Sequence, residues 1–168
     1  PTTGFINDGS GNGMAAFSGE SVDDDAAPVI LESATDDLDT NAQVDVLYVE
    51  FTEEVAITDT NGAGDGFPGF DSMTESCTVN ATQDLTETNA TTIQVLVNCP
   101  ADSTGITPSF QYNSGDADTD IQDLAGNEMD DDSAPLAALD EAAPVVLART
   151  TLDNDSDGTV DYVKLEFS

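Results

Sequence analysis

Apolar residues recur at every second position through several short stretches of this chain. Leu47, Val49 and Phe51 face one way, and Val46, Tyr48 and Glu50 face the other. Ile93, Val95 and Val97 alternate in the same fashion, as do Val163, Leu165 and Phe167 against Tyr162, Lys164 and Glu166. A period of two marks a strand with one face on a core. Helical periodicity is absent, and Gly-, Asn- and Asp-rich turns separate the runs. The pattern predicts strands at 28–34, 44–52, 76–81, 91–98, 108–113 and 160–167, a strand at 3–6, and an edge strand within 67–73. The cues are all-β.

The pattern repeats itself. Residues 26–52 align without a gap on 142–168, displaced by 116 positions, and 12 of the 27 pairs are identical. Among them are Pro28/Pro144, Leu31/Leu147, Asp37/Asp153, Asp39/Asp155, Asp45/Asp161 and Phe51/Phe167. A second match, displaced by 115, pairs Ile6, Asp8, Gly11, Asn12 and Met14 with Ile121, Asp123, Gly126, Asn127 and Met129. Such self-similarity indicates a tandem array. The expected organisation is the tail of one repeat (1–22), a complete repeat (23–139) and the first strands of the next (140–168). The two end segments lack the middle strands of a unit. They are expected to belong to a longer chain, with strand exchange between neighbouring chains as the alternative.

Between the paired strands lies the chemistry. Asp153, Asp155, Asp157 and Asp161 stand at positions 1, 3, 5 and 9 of a loop with Gly158 at position 6. Carboxylates at alternate positions of a tight turn converge, and the Thr159 carbonyl at position 7 can add a further oxygen. Flexible multi-carboxylate coordination suits Ca²⁺ better than Mg²⁺. An EF-hand needs Glu at position 12; Lys164 stands there, so the loop is read as joining two strands. The earlier copy offers Asp37, Asp39, Asn41, Gln43 and Asp45, with Ala42 at the glycine position, and is expected to bind more weakly. Asp23-Asp24-Asp25, where two units meet, is a further candidate for a cation. Two others are Asp59, Asn61 and Asp65 in a turn-rich insertion, and the alternating Asp116, Asp118 and Asp120. Solvated loops without metal are the plain alternative for any acidic turn.

Charge narrows the partners. Thirty-five acidic residues against two basic ones, Arg149 and Lys164, give a net charge of −33. Nothing neutralises phosphate, which excludes an electrostatic nucleic-acid binder and argues against anionic lipid. Self-repulsion of this size opposes compaction unless cations bind or the medium is salty. Disorder is the other outcome for an acidic chain, but 38% apolar content and clean alternation argue against it. No run approaches the length of a membrane span. With no His and no Trp, there is no His-based catalytic relay and little aromatic lining for a sugar cleft. No enzymatic activity is expected.

Cys77 and Cys99 flank a Thr- and Asn-rich stretch of the complete unit. Each lies on or beside an expected strand, so a disulfide is expected, and with it an oxidising compartment. Two free thiols are the alternative. Asn80-Ala81-Thr82 and Asn89-Ala90-Thr91 fit the N-glycosylation sequon.

Three further stretches carry a resemblance: Glu141-Ala142-Ala143-Pro144-Val145, Phe51-Thr52-Glu53-Glu54-Val55, and Ile121-Gln122-Asp123-Leu124-Ala125-Gly126-Asn127. In this order they resemble the bacterial and archaeal immunoglobulin-like repeats of large surface proteins, of adhesin, surface-layer or filament type. The resemblance covers the whole unit and both partial ones. It implies a Greek-key β-sandwich of about seven strands, strung head to tail at the cell surface. The resemblance departs in the long middle, 59–99, which holds the cysteines. The expected function is an extracellular, Ca²⁺-stabilised array forming a stalk, surface layer or filament, with neighbouring repeats or copies of itself as partners. The alternative is an adhesin module that binds a glycan or cell-surface partner through 59–99.

Overall fold

The computed structural model describes residues 9–13, 23–59, 70–71, 73–80, 88–114 and 119–168. Among these the fold is all-β. The strands are β1 (Ile30–Asp36), β2 (Val46–Asp59), β3 (Phe70–Asp71), β4 (Thr78–Val79), β5 (Thr88–Asn98), β6 (Ser109–Tyr112), β7 (Thr119–Asp123), β8 (Leu136–Ala137), β9 (Leu139–Asp140), β10 (Val146–Leu152) and β11 (Tyr162–Phe167).

β2 is the hub. It pairs antiparallel with β5 along one edge. On the other edge β1 covers 46–51 and β7 continues along 55–59. β4 extends the sheet beyond β5, and β9 joins β1 in parallel. Leu47, Val49 and Phe51 are buried and Glu50 is exposed, as the alternation requires. Ile93, Val95 and Val97 present the matching face of β5. A second sheet, β3-β6-β8, contributes Phe70, Phe110 and Tyr112 to the same core. The Phe70 and Phe110 rings meet edge to face at 5.0 Å, a favoured aromatic geometry.

Cys77 and Cys99 form the expected disulfide. The pairing of Thr78 with Asn98 brings the two cysteines opposite each other at the ends of β4 and β5.

β10 and β11 form a hairpin of their own. Its register is that of β1–β2 moved along by 116 residues. Val146 pairs with Phe167 as Ile30 pairs with Phe51, Arg149 with Leu165 as Ser33 with Val49, and Leu152 with Tyr162 as Asp36 with Val46. Both hairpins carry their irregularity at the same place, between Ile30 and Glu32 and between Val146 and Ala148. They differ in cover. Leu47, Val49 and Phe51 are buried, whereas Val163, Leu165 and Phe167 are about half exposed. Ser168 Oγ meets Thr104 Oγ1 at 2.8 Å, linking the hairpin to the larger unit.

Most strands begin and end within a few residues of their expected positions. β2 runs well past its expected end at 52, because Val55 and Ile57 continue the alternation beyond the Glu53-Glu54 pair. β7, over a stretch read as an acidic run leading into a turn, and the two-residue strands β8 and β9 were not expected. The strand at 3–6, the insertion at 60–66 and Asp116 and Asp118 lie outside the described residues, as does much of 59–99.

Candidate metal centres

Among the described residues, three acidic clusters could hold a metal ion: Asp37, Asp39 and Asp45; Asp153, Asp155 and Asp161; and Asp24, Glu53 and Asp123. In each, one carboxylate oxygen per residue lies within 4.8 Å of the others. Oxygens bound at about 2.3–2.6 Å to one Ca²⁺ stand at most about 5 Å apart, so the span fits such an ion. The donors are all carboxylate, which matches a hard cation rather than a thiophilic one.

The first two clusters have the same construction. In the loop 37–45, Asn41 N donates to Asp37 Oδ1 at 3.1 Å and to Asp39 Oδ1 at 3.1 Å, and Ala42 N donates to Asp37 Oδ2 at 2.8 Å. In the loop 153–161, Asp157 N donates to Asp153 Oδ1 and Asp155 Oδ1, each at 3.2 Å, and Gly158 N donates to Asp153 Oδ2 at 2.9 Å. Asp45 accepts from Leu38 N at 3.0 Å, and Asp161 accepts from Asn154 N at 2.6 Å. The backbone bends alike, with positive φ at Thr40 and Ala42 and at Ser156 and Gly158. A carboxylate offers about four lone-pair sites, so these bonds leave capacity for a cation.

Other expected ligands sit differently. Asp157 accepts from both the N–H and the hydroxyl of Thr159 and is outside the converging trio. Asn41 Nδ2 donates to Asp39 Oδ2 at 3.0 Å, bracing that carboxylate. Gln43, expected to offer its backbone carbonyl as Thr159 does, sends its side-chain Nε2 to the Cys99 carbonyl. Segment 97–104 covers this loop: Val97 N donates to Asp45 O at 2.9 Å and Ser103 N to Ala42 O at 2.8 Å. Asp37 is accordingly buried, whereas the whole of 153–161 is exposed.

Electrostatics follow from these contacts. Burial pushes the Asp45 carboxyl up against the opposing Leu38 N–H, and the nearby Asp39, Asp37 and Asp36 charges push it further. The Gly158 N–H holds the Asp153 carboxyl below the usual range, with Ser156 and Asp157 N–H groups assisting.

The third cluster joins residues far apart in the chain, of which the sequence singled out only Asp24. Burial acts to raise the Asp123 carboxyl, but bonds from Asn127 N at 2.8 Å and Asn127 Nδ2 at 2.7 Å, with Gly126 and Ala125 N–H groups, outweigh it and lower the pKa. Burial, then the Asp24 and Asp123 charges, raise Glu53. Asn127 Nδ2 also donates to the Asp24 carbonyl at 2.8 Å, which fastens the 23–26 segment to the turn after β7. The Ile121–Asn127 stretch carried the signal for this cluster, as a short motif without an assigned role.

Among the described residues no helix is long and apolar enough to cross a membrane. The disulfide is compatible with an extracellular protein. Compared with known proteins, the chain matches no family model, no curated protein and no solved structure.

Proposed function

We propose that the chain is part of an extracellular structural array, built of calcium-stabilised immunoglobulin-like repeats, that serves as a stalk, surface layer or filament. One observation carries the reading: two hairpins 116 residues apart share register, bulge, loop hydrogen bonds and a converging carboxylate trio. A loop geometry kept while the intervening side chains change points to a requirement at the loop itself. A cation there relieves the mutual repulsion of the trio and ties loop to strand base, and repeated along an anionic chain it stiffens the array. Asp37, Asp39 and Asp45, and Asp153, Asp155 and Asp161, would hold the ions. The disulfide agrees with an outside location, and the scarcity of basic residues, two against 35 acidic ones, agrees with partners other than nucleic acid.

The test is thermal unfolding and Ca²⁺ titration in low salt. Calcium should raise the melting temperature and EDTA should reverse it. Asp155→Ala should remove one bound ion of those the native chain takes up. Melting that is indifferent to both Ca²⁺ and EDTA would sink the metal reading, and isolated monomers in electron micrographs of native material would sink the array.

A further inference from the structure

We propose that residues 139–142, and residues 23–26 one repeat earlier, are two copies of one joint. The repeat before the joint grips it through Thr35 and the repeat after it through Asn127, which holds consecutive repeats at one angle without metal. The inference rests on the array reading in taking the two segments as equivalent linkers. They stand at matching places under the displacement of 116, with Asp24/Asp140 and Ala26/Ala142 identical.

The grip from the repeat before is made at 139–142. β9 lies parallel to β1, Ala34 against Leu139 and Thr35 against Asp140. Thr35 is fully buried, and its hydroxyl donates to Leu139 O at 3.2 Å and accepts from Glu141 N at 3.4 Å. Ala142 follows, buried in the core of the 23–139 unit. The grip from the repeat after is made at 23–26. Asn127 Nδ2 donates to Asp24 O at 2.8 Å and to Ala26 O at 3.3 Å. Asn127 is itself fixed, through its N–H to Asp123 Oδ1 and its Nδ2 to Asp123 Oδ2.

The two grips are compatible on one segment. Thr35 takes backbone atoms of residues 139 and 141, the counterparts of 23 and 25, whereas Asn127 takes those of 24 and 26. In an extended segment the hydrogen-bonding groups of successive residues point to opposite edges, so Thr35 and Asn127 hold the linker from its two sides. Both bind backbone atoms, which leaves the exchange of Asp25 for Glu141 without effect. A third tie seats the hairpin beyond the linker. Val29 N donates to Thr52 Oγ1 at 3.1 Å, and Val145 N donates to Ser168 Oγ at 3.0 Å, the same bond one repeat on. Ser168 Oγ also meets the buried Thr104 Oγ1 of the unit before it at 2.8 Å. The parts recur in the sequence. Thr35 returns as Thr151 although Glu32, Ser33, Ala34 and Asp36 become Ala148, Arg149, Thr150 and Leu152. Asn127 has its counterpart in Asn12, and the hydroxyl of Thr52 in that of Ser168.

The experiment is NMR of the 168-residue chain in EDTA, reading residual dipolar couplings and amide order parameters. Couplings from β2–β5 and from β10–β11 should fit one alignment tensor. The amides of 24–26 and 139–142 should be as rigid as strands, with order parameters of about 0.85. Thr35→Val with Thr104→Val keeps the side-chain shapes and removes both hydroxyls. It should split the couplings into two tensors, whereas Thr35→Ser with Thr104→Ser should keep one. Asn127→Ala should lower the order parameters of 24–26 below about 0.6 and leave the single tensor unchanged. Two tensors in the native chain in EDTA overturn the proposal, and that result needs no variant. So does one tensor in a folded Thr35→Val, Thr104→Val chain, or rigid 24–26 amides after Asn127→Ala. The readout is orientation within one chain, so it separates the joint from the array. Isolated monomers in micrographs would sink the array and leave a single tensor standing, and a joint that locks only when Ca²⁺ is added would sink this proposal and leave the calcium array standing.

Discussion

Asp37 Oδ2 accepts from the backbone N–H of Ala42 at 2.8 Å, and Ala42 beneath it is held at a φ of 72°. The second loop places Gly158 under Asp153 at a φ of 87°. The same bend is made once with a Cβ and once without.

That difference gives a first prediction. A Cβ at Gly158 would meet open space, so Gly158→Ala incurs only the left-handed backbone penalty, about 1 kcal/mol. Ala42→Gly removes a comparable strain but also a buried methyl worth about 0.8 kcal/mol, so its net effect should lie near zero. Hydrogen exchange of the Thr151 and Asp161 amides reads the first change, and urea unfolding reads the second.

Within the first loop, Asp37 and Asp39 should separate structural from ion-binding roles. Asp37 is buried and satisfies the N–H groups of Asn41 and Ala42. Asp37→Ala should cost about 1–3 kcal/mol even in EDTA, because the Ala42 N–H is left buried and unpaired. Asp39 is exposed, so Asp39→Ala should cost about 0.5 kcal/mol or less in EDTA. Both should lower calcium affinity. Equal losses of stability in EDTA would contradict this division.

Ser33 should be improvable. Its hydroxyl is buried on the core face of β1 with no hydrogen-bond partner. Ser33→Ala removes a desolvated polar atom and should stabilise the fold by about 1 kcal/mol in urea unfolding. Destabilisation would show that the hydroxyl is satisfied in solution.

How much of this was legible depends on where each signal resides. The paired strands and the loops 37–45 and 153–161 were legible because alternation, aspartate spacing and a glycine at a left-handed position are local demands of backbone geometry. Cys77 and Cys99 were legible because both flank strands. The Asp24–Glu53–Asp123 cluster was not, since it exists only once β7 lies along β2 and Asn127 holds the linker. β8 and β9 are two residues each, too short to alternate. Gln43 was read as a ligand through its backbone carbonyl, at position 7 like Thr159, with no role given to its side chain. That its side chain reaches the Cys99 carbonyl depends on where segment 97–104 passes, a tertiary fact.

Acid should act on Asp131. The Ser114 hydroxyl at 2.7 Å and the Ser114 N–H at 2.8 Å both donate to its Oδ1 and hold its carboxyl below the usual range. A depressed folded-state pKa contributes stability that is present above the unfolded value, about 3.9, and is lost as pH falls through the folded value. Ser114→Ala removes the hydroxyl bond and should move the Asp131 titration upward, read by carboxyl NMR. An unmoved titration would rule out the hydroxyl as a cause.

The disulfide should support the first acidic loop as well as the fold. Cys77 and Cys99 are separated by 22 residues, and closing a loop of that size is worth roughly 3 kcal/mol through the unfolded chain. Cys77→Ser with Cys99→Ser should lower stability by about that much. A second effect follows from position. Cys99 lies within the segment 97–104 that covers loop 37–45, through its carbonyl to Gln43 Nε2 and through the Ser103 N–H to Ala42 O. Releasing one end of that segment should speed exchange of the Ser103 amide beyond what global destabilisation explains. The loop 153–161 has no such cover, so the Asp161 amide, bonded to Leu152 O at 2.9 Å, should exchange as before. Parallel acceleration at Ser103 and Asp161 would mean that the disulfide acts on the whole fold and leaves the acidic loop no special dependence on it.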